Sequence, residues 1–338
     1  MWAALWLAAV VAVLATFDRD EKLRVRMSLC AHNRNWHQVL ELARRLRVCT
    51  TFARHDINRA LYHTGRLADE MFGWPQRRDE PGLVRPSAGG FATPSLLRYC
   101  DLYFELGRIN DSERMAHEAL EIGGDQPRLL HRLGLINVLK GRPRAAGSLF
   151  GALRWQLFTG GLAERCLRRL EADPLMASDE DIARARPLMI VEDRRLQPDV
   201  ETILQQPLQA NGRNRMAFEY LMAHYLLTGQ LGKIVRNIGR LNDFDYVGIP
   251  RHYEEALALY GRATGRPPPL YGRQISGQTA TRLERFFERL DGHGGDMDAA
   301  RRALARDYGD TFWFYHTFGE SASCPPFTGR LPMTGPTR

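Results

Sequence analysis

The sequence predicts an all-α chain: a superhelical array of helical hairpins preceded by an N-terminal transmembrane helix. Three observations carry that prediction. Beyond residue 20 the apolar residues recur at helical spacing and no stretch alternates convincingly as a strand would. Two hairpin-like segments place their turn glycines, Gly107 and Gly141, 34 residues apart. Finally, residues 1–17, MWAALWLAAVVAVLATF, carry no charge, whereas the next nine, DRDEKLRVR, are almost all charge.

Taken in order, residues 1–17 would span roughly 25 Å as a helix, a little short of the ~30 Å hydrocarbon core. Trp2 and Trp6 near one end, with Arg19, Lys22, Arg24 and Arg26 past the other, suit interfacial aromatics and a charged flank. This segment is therefore expected to be a transmembrane anchor or the last span of a polytopic protein. A signal peptide fits less well, because the basic n-region is missing. Acidic and basic residues mix in the flank, so the side of the membrane on which the rest of the chain lies stays open.

Residues 18–266 are expected to form about six hairpins. Helix starts are marked by Thr93-Pro94, Gln126-Pro127, Gln197-Pro198 and Ile249-Pro250, since a first helical turn tolerates proline's missing N–H. Asn110-x-x-Glu113 and Ser178-x-x-Asp181 read as capping boxes. The pair LLRYCDLYFELGRINDSERMAHEAL and LLHRLGLINVLKGRPRAAGSLFGAL is clearest, with Leu133-Gly134, Ala146 and Phe150 in the second and Tyr103, Ala116, Ala119 and Leu120 in the first. Weaker copies surround an Asn33-Arg34-Asn35 turn, Gly65 and Gly229, and the last keeps only Tyr253, Leu257 and Tyr260. No single hairpin could bury its apolar face alone, so the copies must stack.

Residues 73–93 hold too much proline and glycine for helix and are expected to be an insertion. The pairing within 171–199 is left open. Residues 267–319 open with a triple proline and are expected to form a C-terminal helical cap ending in the aromatic run TFWFYHTFG, and 320–338 a disordered tail.

The two in-register units resemble tetratricopeptide repeats, with Ser112 where that motif prefers alanine and Cys100 where it prefers glycine. The stretches ADEMFGWPQ, MAFEYLMAHYLL and DTFWFYHTFG are also similar to an uncharacterised bacterial family of membrane proteins whose C-terminal half is tetratricopeptide-like. That resemblance covers most of residues 20–319 and implies residence in a bacterial inner membrane. It implies no activity, cofactor or catalytic residue.

The residues themselves offer little chemistry. The net charge of +8 is carried by scattered arginines, with lysine only at 22, 140 and 233, which argues against a nucleic-acid patch. The segment LKGRPRAAG, 139–147, has the look of a minor-groove arm, but Gly141 holds the position of Gly107, so a hairpin turn is expected. Five widely spaced cysteines contain no Cys-x-x-Cys pair. Ten histidines make no metal-ligand spacing, and no nucleophile elbow or phosphate loop is present, so no metal, cofactor or catalytic residue is assigned.

What remains is a surface. In such an array the first helix of each hairpin lines the concave face. This places Asp101, Phe104 and Glu105, then Arg128, His131 and Leu135, then Glu219, Ala223 and Leu226 toward a groove that takes a protein or peptide partner. The expected function is a membrane-anchored scaffold without catalysis. The alternative is an accessory domain of a polytopic envelope enzyme or transporter.

Overall fold

The computed structural model describes residues 2, 6, 18–78, 82–84, 93–190 and 199–323. Seventeen α-helices run through the described residues, joined by short 3₁₀ turns, and the sole β-pairing among them is an isolated antiparallel bridge between Arg77 and Glu320.

The transmembrane helix is corrected. Among the described residues no helix is long and apolar enough to cross a membrane. The longest, Ile109–Gly123 and Gly277–Asp291, have fifteen residues, or about 22 Å of rise. Apart from Trp2 and Trp6, residues 1–17 lie outside the described residues. The charged stretch that follows begins a helix of its own: α1 (Arg19–His32) is started by extended Asp18, whose carboxylate accepts from the Asp20 and Glu21 amides.

Five hairpin turns share one geometry. In α1/α2 (Trp36–Ala43), α3 (Thr51–His63)/α4 (Leu67–Glu70), α5 (Thr93–Glu105)/α6 (Ile109–Gly123), α7 (Pro127–Leu139)/α8 (Pro143–Ala152) and α12 (Arg215–Leu227)/α13 (Leu231–Asn237) a left-handed residue closes the first helix. It is Arg34, Gly65, Gly107, Gly141 and Gly229 in turn, and the two amides that follow the helix bond back to its last carbonyls in the same paired pattern. At Gly141 these bonds run to Val138 and Asn137, Pro143 opens α8, and Lys140 and Arg142 both pair with Glu113. The segment 139–147 is a turn, not a free arm. Gly134 also has a packing role, since a Cβ there would sit 2.2 Å from the Phe150 ring. Two expected caps shift: Asp179, not Ser178, caps α10 (Glu180–Ala185), and Arg108 occupies the cap position of α6.

Stacking is sequential through α8 and α9 (Gly160–Ala172), then the chain doubles back. Helix α10 packs on α5 and α7. The next hairpin, α11 (Val200–Ala210)/α12, docks on the α5/α6 turn, where Asn214 Nδ2 donates to the Leu106 carbonyl and Arg108 Nη1 donates to Gln206 at 2.6 Å. The hydrophobic interior is accordingly divided into one core running from Leu23 to Tyr315 and a second confined to α7–α10 with Phe104 and Ile109.

The C-terminal helices close the ring of contacts. Helix α14 (Arg251–Thr264) packs on α4, and α17 (Phe312–Phe318), reached through α15 (Gly277–Asp291) and α16 (Met297–Tyr308), packs on α14. Phe72 lies between His252, Phe312 and Tyr315. Part of the expected insertion is thereby core: Trp74 and Gln76 are buried, the Gln76 amide donates to the Ser321 hydroxyl, and the Ser321 amide donates to the Gln76 carbonyl. Ser321 is fully buried, so the expected tail does not begin at 320, while 324–338 lie outside the described residues.

Candidate functional site

Four first helices, α3, α5, α7 and α12, meet at the centre. Helix α3 is buried on every side from Ala53 to Leu61, although five of those nine residues are polar or charged. Charges so placed must pair, because an isolated buried ion is far too costly. Arg59 grips Glu105 with two bonds of 2.8 and 2.7 Å and lies 3.6 Å from Asp101. Asp101 also receives Arg128, and Arg132 at 2.9 Å. His63 Nε2 shares Glu105 Oε2 with Arg59, at 3.2 Å, and stacks on Trp36, whose ring in turn carries the Arg59 guanidinium at 5.1 Å. Arg132 lies over Phe104 at 4.2 Å and leans toward Asp181, which Arg34 holds from the α1/α2 turn.

Burial alone would push the Asp101 carboxyl up, but the guanidiniums of Arg128, Arg132 and Arg59 outweigh it and hold Asp101 well below the usual carboxylate range. Glu105 behaves alike: burial raises it and Arg59 with His63 more than reverse that. His32 and His131, by contrast, are lowered to about 4, first by burial and then by nearby arginines. Both are therefore neutral near pH 7 beside this ionised cluster.

Above the cluster opens a pocket of about 320 Å³, bounded by α3, α5, α10 and the start of α12. Phe104, Leu188, Met216 and Tyr62 supply apolar wall; Arg34, Arg184, Arg213 and Arg215 face two carboxylates, Glu105 and Asp181. Three of those arginines are already matched, Arg34 by Asp181, Arg184 by Glu180 and Arg215 by Glu219. Glu105 is matched by Arg59. Arg213 has no ion-pair partner among the described residues, and it stands exposed at the mouth.

A family model, described as a family of unknown function, DUF6057, matches residues 1–319. The chain belongs to this family. No curated protein and no solved structure matches it. Membership in an uncharacterised family is thus shown for this DUF6057 chain, while the tetratricopeptide and membrane parts of the resemblance do not follow from the match.

The residues expected to line an open groove are placed differently in this DUF6057 fold. Asp101, Phe104, Leu135, Glu219, Ala223 and Leu226 are buried, while Glu105, Arg128 and His131 are partly so. Asp101, Glu105 and Arg128 come together in the central cluster, and Phe104 roofs it. Glu219 sits apart, held by Arg215 and the Tyr246 hydroxyl. Leu135 belongs to the second core, Ala223 and Leu226 to the first, and His131 packs near Phe150. The groove is filled because α10 and α12 fold back over it. The sequence pattern did not single out Arg59, Arg132 or Arg213, and it marked Asp181 only as part of a helix cap. The signal available for Arg59 was the run RHDINRALYH, which puts charges on all faces of one helix. Among the described residues no group of three metal-binding side chains converges. The four described cysteines are unbridged, and burial pushes Cys100 up to about 11, so it is no thiolate at neutral pH.

Proposed function

We propose that the protein is a non-catalytic, tetratricopeptide-like interaction scaffold whose pocket takes an acidic side chain or chain terminus of a protein partner. The observation that carries this reading is the unpartnered Arg213 at the mouth of a pocket with apolar walls. The other three arginines that line the pocket are neutralised by the fold's own carboxylates, so Arg213, without an ion-pair partner among the described residues, marks where outside charge is wanted. A carboxylate engaging Arg213 would gain a charge-assisted, two-bond contact without disturbing the core below. The small volume suits one side chain or a chain end in place of a whole helix.

Fluorescence anisotropy with a labelled acidic, apolar hexapeptide and its amidated, glutamine-substituted counterpart tests the reading. The acidic peptide is expected to bind at least tenfold more tightly, and Arg213→Glu is expected to abolish the difference, a charge-pair effect of about 1.4 kcal/mol or more. Equal binding of the two peptides, or an Arg213→Glu protein that keeps the preference, would refute it.

A further inference from the structure

The 3₁₀ turn and loop between α8 and α9 present hydrophobic side chains to water. Trp155 is 90% exposed, Leu157 82% and Phe158 fully so. Scattered exposed apolar residues are ordinary, but three large ones within four positions form a patch that needs a partner. The loop that carries them is built. Leu153 is fully buried at its base, and the Thr159 hydroxyl donates to the Leu153 and Gln156 carbonyls at 2.6 and 3.1 Å. Phe158 holds φ = +65°, a left-handed conformation that glycine or asparagine adopts far more readily. The fold keeps a bulky aromatic there at a cost in backbone strain, and its ring packs on nothing.

The unpaired charge beside this patch is basic. Of the nine Lys and Arg between residues 126 and 170, Arg128 and Arg132 are tied to Asp101, Lys140 and Arg142 to Glu113 and Arg169 to Asp179, which leaves Arg154 and Arg165 beside the loop. Arg154 lies in the loop itself, and the Arg165 guanidinium folds back toward Gly161 beside it. Both are exposed, and neither has an ion-pair partner among the described residues. One turn on, Arg168 meets Glu164 in an exposed pair of 3.6 Å.

From these features we propose that the loop is an interfacial docking device for an anionic lipid surface: Trp155, Leu157 and Phe158 enter the headgroup and acyl boundary while Arg154 and Arg165 meet the lipid phosphates. Tryptophan and phenylalanine prefer that boundary, and apolar insertion combined with nearby basic charge is how peripheral proteins hold anionic bilayers. A protein partner would want a flatter, more mixed surface than a protruding wedge flanked by two unpaired arginines. The contact lies between α8 and α9 and shares no lining residue with the pocket at Arg213.

Co-sedimentation of the full chain with phosphatidylcholine vesicles, with and without a quarter of phosphatidylglycerol, tests the proposal. Because every protein compared retains residues 1–17, differences between variants report the loop. The anionic vesicles are expected to bind at least tenfold more tightly than the neutral ones. Trp155→Ser/Leu157→Ser/Phe158→Asn is expected to lose that binding, and Arg154→Glu/Arg165→Glu to weaken it by about fivefold or more per arginine. In a Trp2→Phe/Trp6→Phe background brominated lipid should quench the fluorescence, and adding Trp155→Phe, which preserves the apolar wedge, should remove most of that quenching. The proposal fails if the triple variant sediments as the wild type does, if neutral and anionic vesicles bind alike, or if Trp155→Phe leaves the quenching intact. It fails too if the loop drives a dimer in solution, which would make a second copy the occupant.

Discussion

Arg59 and Glu105 lie almost wholly out of water at the centre of the molecule, while Trp155, Leu157 and Phe158 stand almost wholly in it at the end of the α8/α9 hairpin. Each region reverses the usual partition of side chains, and the two reversals have different consequences. The buried charges are matched within one shared network, in which Asp101 serves Arg59, Arg128 and Arg132, so they are committed to the fold and unavailable to a ligand. The exposed apolar groups touch nothing, so the fold does not need them. What is matched inside is structure, and what is left unmatched at the surface is where contact with something else is expected.

The comparison can be broken first at its interior end. Arg59→Met leaves Glu105 buried with only His63 beside it, and is expected to cost about 3–5 kcal/mol in urea unfolding. Arg59→Met with Glu105→Leu should cost clearly less than the sum of the two single changes, because no uncompensated ion remains. Additive losses would show that the pair is not coupled.

A smaller effect separates ionised from neutral groups in the same interior. Burial holds His55 at about 4, and it packs edge-on against Tyr99. Its folded value is depressed below the unfolded value near 6.5, so the unfolded chain binds the additional proton as pH falls. Stability is therefore present above pH 6.5 and lost between 6.5 and about 4, by roughly 3 kcal/mol for this residue. His32 and His131 add in the same direction. The carboxylates Asp101 and Glu105, held low, lose their contribution only as pH drops below the normal carboxylate range. Thermal melts at pH 7.5 and 5.0 should show the fall, and His55→Phe should flatten it. An unchanged slope in His55→Phe would assign the titration elsewhere.

Next in size is Gly134→Ala, whose new methyl would meet the Phe150 ring and is expected to cost about 1–3 kcal/mol by overpacking. Gly134→Ala with Phe150→Leu should recover part of that loss. The least change is expected at the loop. Phe158→Asn should leave the unfolding midpoint unchanged or raise it slightly, because it removes no packing and relieves the left-handed strain at φ = +65°.

The local half of this architecture was legible in the residues. A helix closed by a left-handed turn selects glycine, so Gly65, Gly107, Gly141 and Gly229 announced their hairpins, and Pro127 announced a helix start. The long-range half was not. Nothing in the period of the sequence says that α10 returns to α5, or that Gln76 and Ser321 bond across 245 residues, because such contacts leave no spacing to read. The site divides the same way. First-helix positions placed Asp101, Glu105 and Arg128 toward a shared groove, and the structure brings those three together in a buried cluster. Whether that interior was open depended on α12 packing back over it, and the partners Arg59 and Asp181 come from helices whose approach is tertiary. The apolar 1–17 stretch shows the opposite hazard: its composition invited a span, and the described helices contain none.

The most direct test of the central contrast is a pair of urea unfolding curves. Arg59→Met is predicted to lose several kcal/mol, and Trp155→Ser/Leu157→Ser/Phe158→Asn to stay within about 0.5 kcal/mol of the wild type. If the loop variant lost as much as Arg59→Met, or Arg59→Met lost nothing, the division between structural charges inside and spare apolar groups outside would be wrong.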